Sequence, residues 1–331
     1  MPDLIALARE ARPYIERTTP ATEPWLSRLE EHHDELHELA ERLLETDPPG
    51  ALELAAALWP FWWLRGHMDE GRALLDRAAA IKGPDRQQVL KGLGTVAFRQ
   101  GDLDAAEHAF RERFEIVDQG ESQRDVVDAL TDLSRVDLRR GDFAGVRGYA
   151  ERAHEAAEGL GEEEALRLPL HMRAAAARME GRLDEARSLY LESRRLNERL
   201  GYDVMVAGED HNLFCVELRS GNRDEAVRRF RSSNEWILAN DNAYLRPYTF
   251  LDAGVLALHD GDLGRAARLI ASAQRLFEES GSIPDPDDRV ELDEAVERLR
   301  QELGDRYEAV SAEGRALTLD EAAALARSAA A

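Results

Sequence analysis

The 331-residue chain carries 66 acidic against 43 basic side chains, a formal charge of −23 that repels phosphate backbones and argues against direct binding of nucleic acid. Cys215 is the single cysteine, so no intramolecular disulfide forms and a reducing cytoplasm is the expected compartment. Asp3, Arg9, Glu10 and Arg12 interrupt the start of the chain, which has no signal-peptide core. The most apolar stretch, Ala51 to Leu64, holds Glu53 and Pro60 and is too short to span a bilayer, so no membrane partner is expected.

Residues 3–12 and 25–45 read as two helices. Leu4, Leu7, Ala8 and Ala11 line the first, and Leu29, Leu36, Leu39 and Leu43 the second. Breaks are expected at Pro13, Thr19-Pro20 and Glu23-Pro24, and a firm stop at Asp47-Pro48-Pro49-Gly50. From Ala51 the chain becomes periodic. Gly101, Gly141, Gly181, Gly221 and Gly261 are each 40 residues apart, and Gly66 precedes them by 35. Each opens a similar phrase, such as Gly101-Asp102-Leu103-Asp104-Ala105-Ala106 and Gly181-Arg182-Leu183-Asp184-Glu185-Ala186. A fixed period of this size marks stacked units, each a first helix, a tight turn at the glycine and a second helix. In the second unit the helices are expected at Asp85 to Gln100 and Leu103 to Val117. The glycine tolerates the positive φ of a helix C-terminus, and the Asp after it caps the next helix. Ala106, Ala186, Ala226 and Ala266 let paired helices approach, and Phe110, Tyr190, Phe230 and Ile270 fill the space beside them.

Leu93, Gly94, Gly101, Ala106 and Phe110 together resemble the tetratricopeptide repeat, with a period of 40 in place of about 34. Phe214, Trp59, Val146 and Ala150 depart from that pattern. Three longer phrases resemble the C-terminal helical sensor region of LuxR-type and related STAND ATPase regulators. They run Trp25 to Leu36, Leu58 to Arg72 and Gly314 to Ala322. Such a region follows a nucleotide-binding switch module in those regulators. This chain has no Gly-x-x-x-x-Gly-Lys-Ser/Thr loop, so ATP binding is not expected of it. The expected fold is all-α, a right-handed solenoid of helix pairs: an N-terminal helical cap over 1–49, six repeats over 50–281 and a C-terminal helical cap over 282–331. In that last region Pro284-Asp285-Pro286 reads as a break, Val290 to Leu303 as a charged amphipathic helix, and Thr318-Leu319-Asp320-Glu321 as a capping box.

His33 and His37 have the i, i+4 spacing of a metal pair, but on a Glu-rich helix a solvated face is the preferred reading. Trp59, Phe61, Trp62 and Trp63 read as core before they read as a ligand cage. The resemblance places one face of each first helix on a concave surface. That puts Lys91, Thr131, His171, His211 and Leu251 in one column, and Thr95, Arg135, Ala175, Cys215 and Val255 in the next. Phe98, Leu138, Arg178, Leu218 and Leu258 form a third, with Trp63 and Tyr248 at the two ends. Trp63, Lys91, Phe98, Thr131, Arg135, His171, Arg178, His211 and Tyr248 are therefore the candidate ligand-binding residues, with Thr131, Arg135, His171, Arg178 and His211 expected to converge. Cys215 reads as an inert packing residue. No catalytic residue, cofactor or metal ligand is assigned. The first functional reading is a sensor-like, non-enzymatic module that takes a peptide, a protein partner or a small inducer. The alternative is an enzyme or sequestering protein centred on Arg135, His171 and His211.

Overall fold

The computed structural model describes residues 3–16, 22–120, 122–240, 242, 244–280 and 283–329, the side chain of Ser280 excepted. Thr19-Pro20, Glu121 and the expected repeat-to-cap border at Gly281-Ser282 lie outside them. Every regular element among the described residues is a helix, and none is long and apolar enough to cross a membrane. The chain divides into two compact units, Met1–Val136 and Asp137–Ala331.

The first unit contains α1 (Leu4–Ile15), α2 (Thr22–Glu30), α3 (His33–Thr46), α4 (Pro48–Arg65), α5 (Met68–Ala79), α6 (Arg86–Arg99) and α7 (Leu103–Asp118). The division falls inside α8 (Gln123–Arg140). The helix expected over 25–45 is in fact two, parted at Glu31-His32, where His32 N–H bonds the Leu29 carbonyl in a tightened last turn. No Gly or Pro marks that break. Pro24 instead lies in the first turn of α2, where a missing N–H costs little, and Pro13 lies inside α1 near its end, where it removes one helix hydrogen bond. Pro48 and Pro49 open α4 behind the Asp47 cap, so the expected stop is also a start. α4 continues through Pro60 to Arg65 and is buried on almost every side, with Trp59, Phe61 and Trp62 in the core. The rings of Trp62 and Trp59 rest against Gly71 and Gly92, where an added Cβ would come within 2.6 Å and 2.5 Å of them.

The second unit contains α9 (Phe143–Leu160), a short 3₁₀ turn at Glu163–Leu166, then α10 (Arg167–Met179), α11 (Leu183–Leu200), α12 (Asp203–Arg219), α13 (Arg223–Ala239), α14 (Arg246–His259) and α15 (Leu263–Ser280). α16 (Pro286–Leu303), α17 (Tyr307–Ala316) and α18 (Leu319–Ala329) end the chain. α10 pairs with α11, α12 with α13 and α14 with α15.

The periodic glycines sit at the turns as the sequence predicts. Gly66, Gly101, Gly141, Gly181, Gly221 and Gly261 all have φ between 73° and 85°. In the five 40-residue repeats the N–H after the glycine closes the preceding helix at 2.9 Å, from Asp102 to the Ala97 carbonyl through to Asp262 to that of Ala257. Asp102, Asp142 and Asp262 then cap the following helices through their side chains, whereas Arg182 and Asn222 make no such bond. The small-residue position is equally exacting: a Cβ on Gly94 would come within 2.4 Å of the Phe110 ring. The capping box is present too, with Thr318 N–H donating to Glu321 Oε2 at 2.9 Å.

The C-terminal region corrects the sequence reading at one consequential point. Its first helix starts at Pro286, not Val290, so Asp287 and Asp288 belong to its first turn and both are buried.

Candidate functional site

The second unit holds a largely buried cluster of charge. α10 supplies His171 and Arg178, two turns apart and hence on one face. α12 supplies Glu209, His211, Asn212 and Cys215, and α14 supplies Tyr248 and Asp252. Leu292, Ala295, Val296, Leu299 and Leu303 fasten α16 to the apolar core. That anchoring lays its first turns, carrying Asp287, Asp288 and Glu291, across the three helices.

Arg178 is the hub, with its side chain 2% exposed. Its Nη1 donates to Asn212 Oδ1 and Asp287 Oδ2, both at 3.0 Å. Its Nη2 donates to Asp288 Oδ1 at 3.1 Å and Glu291 Oε1 at 3.2 Å. His211 Nδ1 bonds the Asp252 carboxylate at 2.8 Å, while its Nε2 lies 3.1 Å from Asp288 Oδ1. Tyr248 leans on the His211 ring with centroids 5.0 Å apart and accepts from Asp285 N–H at 3.3 Å. His171 pairs with Glu209 at 3.1 Å, and Arg219 donates to Glu291 at 2.7 Å.

These contacts set the protonation states. Burial disfavours a charged His171, but the Glu209 carboxylate, helped by Asp287 and Asp285, raises its pKa to about 9. For His211 the same opposition of burial against Asp252 and Asp288 ends well above the ordinary imidazole range. Burial works to raise Asp288, yet His211 and Arg178 outweigh it and bring it down to about 2. Asp287, buried beside Asp288, is pushed up to about 6 in spite of Arg178. Burial pushes the Cys215 thiol up, against the pull of Arg178, so an unliganded thiol stays protonated and is no nucleophile. Chemically, the arrangement is a carboxylate receptor: a guanidinium and an imidazolium, fixed by neighbouring helices, each holding acidic side chains from α16.

Of the nine candidate residues, the second unit brings together His171, Arg178 and His211, expected to converge, and Tyr248, expected at one end. The others lie in the first unit and make local pairs there. Arg135 sits 5.1 Å over the ring of Phe98, a core residue. Lys91 meets Asp128 at 3.4 Å, and Trp63 lies under the Arg99 guanidinium at 3.9 Å. Thr131 is buried, and its hydroxyl donates to its own helix at the Val127 carbonyl. The solvated face expected for His33 and His37 is corrected as well. Both are partly covered and approach Glu70 at 3.2 Å and 2.9 Å, and His67 stacks on His33. Sequence reasoning missed Glu209, Asp252, Asp287, Asp288 and Glu291. A signal for the α16 group was present: Pro at the first helical position followed by two acids is a helix-start signature, and Pro284-Asp285-Pro286 was read as a break.

No family model matches the chain, and no curated protein matches it in sequence. Solved structures do. The apo form of RapI aligns with a TM-score of 0.65 at 12% identity, covering 80% of this chain and 97% of that one. A Rap conjugation gene regulator of the plasmid pLS20, in complex with the Phr* peptide, aligns at 0.54 with 10% identity over 91% of this chain and 97% of that one. A STAND protein with a tetratricopeptide-repeat sensor from Pyrococcus horikoshii aligns at 0.55 with 14% identity, covering 95% of this chain and 52% of that one. The chain thus has the helical-repeat fold of tetratricopeptide-like proteins, among them the STAND sensor that the sequence phrases resemble.

Proposed function

We propose that the chain is a sensor-like, non-enzymatic binding module whose recognition site is the face shared by α10, α12 and α14, and that its ligand is an acidic peptide or acidic protein segment. One observation carries this reading. Arg178 and His211 are satisfied by carboxylates that arrive on a segment more than 70 residues away in sequence, 109 residues in the case of Arg178 and Asp287. The site is thus already engaged in cis by the kind of group it recognises. An incoming acidic segment would exchange carboxylate for carboxylate, which avoids the large cost of leaving a buried cation unpaired. Release of the α16 start would then report the event. The Phr* peptide bound by the Rap regulator lends the reading support from a protein of the same fold.

The test is a titration with a labelled synthetic peptide copying residues 283–294. The tethered copy competes at an effective concentration on the millimolar scale. The D287N/D288N/E291Q variant, which keeps the fold by circular dichroism, should therefore bind the peptide at least about tenfold more tightly than the native chain. Adding Arg178→Met should remove that binding. Equal binding by the two chains, retention with Arg178→Met, or no binding to the neutralised chain would refute the assignment.

A further inference from the structure

We infer that the second unit contains a metal site for a divalent cation of the zinc type, formed by His211 Nε2, Cys215 Sγ and a carboxylate oxygen of Asp288. These three ligand atoms lie within 4.8 Å of one another, and all three residues are buried. A tetrahedral zinc ion with bonds of about 2.0–2.3 Å holds its ligand atoms somewhat closer than this, so small side-chain rotations complete the geometry. His211 and Cys215 stand four residues apart on α12, which places both on one face of that helix.

The independent observation is the state of His211 Nε2. The imidazole is 5% exposed, and this nitrogen forms an ion pair with Asp288 rather than an aligned hydrogen bond. Asp288 Oδ1 is 3.1 Å away, but not where an N–H on Nε2 would point. The other ring nitrogen is committed, because Nδ1–H donates to Asp252 at 2.8 Å. Once the Nε2 proton leaves, that carboxylate–imidazole contact fixes the tautomer, frees Nε2 to ligate beside Asp288 and Cys215, and raises the basicity of the ligand nitrogen. The Nε2 proton now lies beside Asp288 Oδ1, and a metal ion bound there would take that proton's place. An imidazole and a thiolate beside a carboxylate select a borderline-soft divalent ion over calcium or magnesium.

Arg178, which donates to Asp288 Oδ1, is the opposing charge. The carboxylates of Asp252, Asp287, Asp288 and Glu291 face it, and a divalent ion that replaces the Cys215 and Nε2 protons leaves the net charge of the cluster unchanged. Binding exchanges the thiol proton, and any on Nε2, for the metal, so affinity falls as pH falls. The site would tie α12 to the start of α16, and a metal ion held there would oppose release of that start.

Cobalt(II) is the probe, because thiolate ligation gives it a charge-transfer band in the near ultraviolet, and Cys215 is the only cysteine that could produce one. The chelator-stripped native chain should take up one equivalent with that band and melt at a higher temperature. Zinc should displace the cobalt. Asp252→Asn should weaken binding about ten- to a hundredfold while keeping the band, and Cys215→Ser should abolish the band. The native protein decides the matter without any variant: no band and no melting shift at millimolar cobalt or zinc would overturn the site. Uptake of cobalt without the thiolate band would overturn it too.

Discussion

Among the described residues each unit seals one arginine from solvent, and the two are wired differently. Arg113, in the first unit, is fully buried, with Nη1 donating to Asp132 at 3.0 Å and Nε to Gln87 at 3.3 Å. Its partners lie 19 and 26 residues away, on neighbouring helices of the repeat ladder. Arg178 is equally buried, but the acids that satisfy it lie 109 to 113 residues along the chain, on a helix that begins at its own proline. A buried guanidinium tied to its neighbours fastens one repeat to the next. One tied to a distant segment describes what that segment must carry.

The largest effect should come from removing either hub. Arg178→Met and Arg113→Met each leave buried carboxylate uncompensated and should lower the unfolding free energy by about 3–5 kcal/mol in denaturant titrations. The comparison predicts that they diverge in local consequence. Arg289, exposed on α16, should become a trypsin site in Arg178→Met and stay resistant in Arg113→Met. Equal cleavage in both would erase the distinction.

A second difference is pH. In the second unit the pKa of His171 is raised from 6.5 to about 9 by Glu209, Asp287 and Asp285 in spite of burial. A raised folded-state pKa stabilises below the ordinary imidazole value, and that stability is lost as pH climbs through the folded value. About 3 kcal/mol should therefore be present below pH 6.5 and disappear between roughly pH 6.5 and 9.5. His171→Gln should flatten that part of the stability profile, and an unchanged slope would contradict the pairing.

The smallest effects should arise where the two units are built alike. A Cβ on Gly94 would meet the Phe110 ring at 2.4 Å, and one on Gly254 would meet Ile270 at 2.6 Å. Gly94→Ala and Gly254→Ala should each cost about 1–3 kcal/mol in thermal unfolding, in similar amounts. A marked inequality would show that helix pairs in the two units are not packed by the same rule.

That rule was readable from the chain because it is local. A glycine that must adopt positive φ, a capping Asp directly before the next helix, and a small residue facing a bulky one all act within a single repeat. The cation row was partly readable for the same reason: 40-residue register places His171 and His211 at equivalent points, and Arg178 two turns along from His171. Its acidic counterpart was not. Asp287 and Asp288 are not part of the repeat period, and nothing nearby in sequence shows that their carboxylates reach Arg178. The split between α2 and α3 was hidden for another reason, since no Gly or Pro marks it and His32 closes α2 through a bond to the Leu29 carbonyl that any residue could make. Thr131 and Arg135 fit the columns by spacing, yet a bond to the Thr131 helix's own backbone and the Phe98 ring absorb them.

The account turns on whether the start of α16 occupies a site that another acidic segment can take. Amide hydrogen exchange across residues 286–292, measured with and without saturating 283–294 peptide, tests this most directly. The account predicts that those amides lose protection when peptide is present while the amides of α14 keep theirs. Bound peptide with undiminished protection over 286–292 would contradict it.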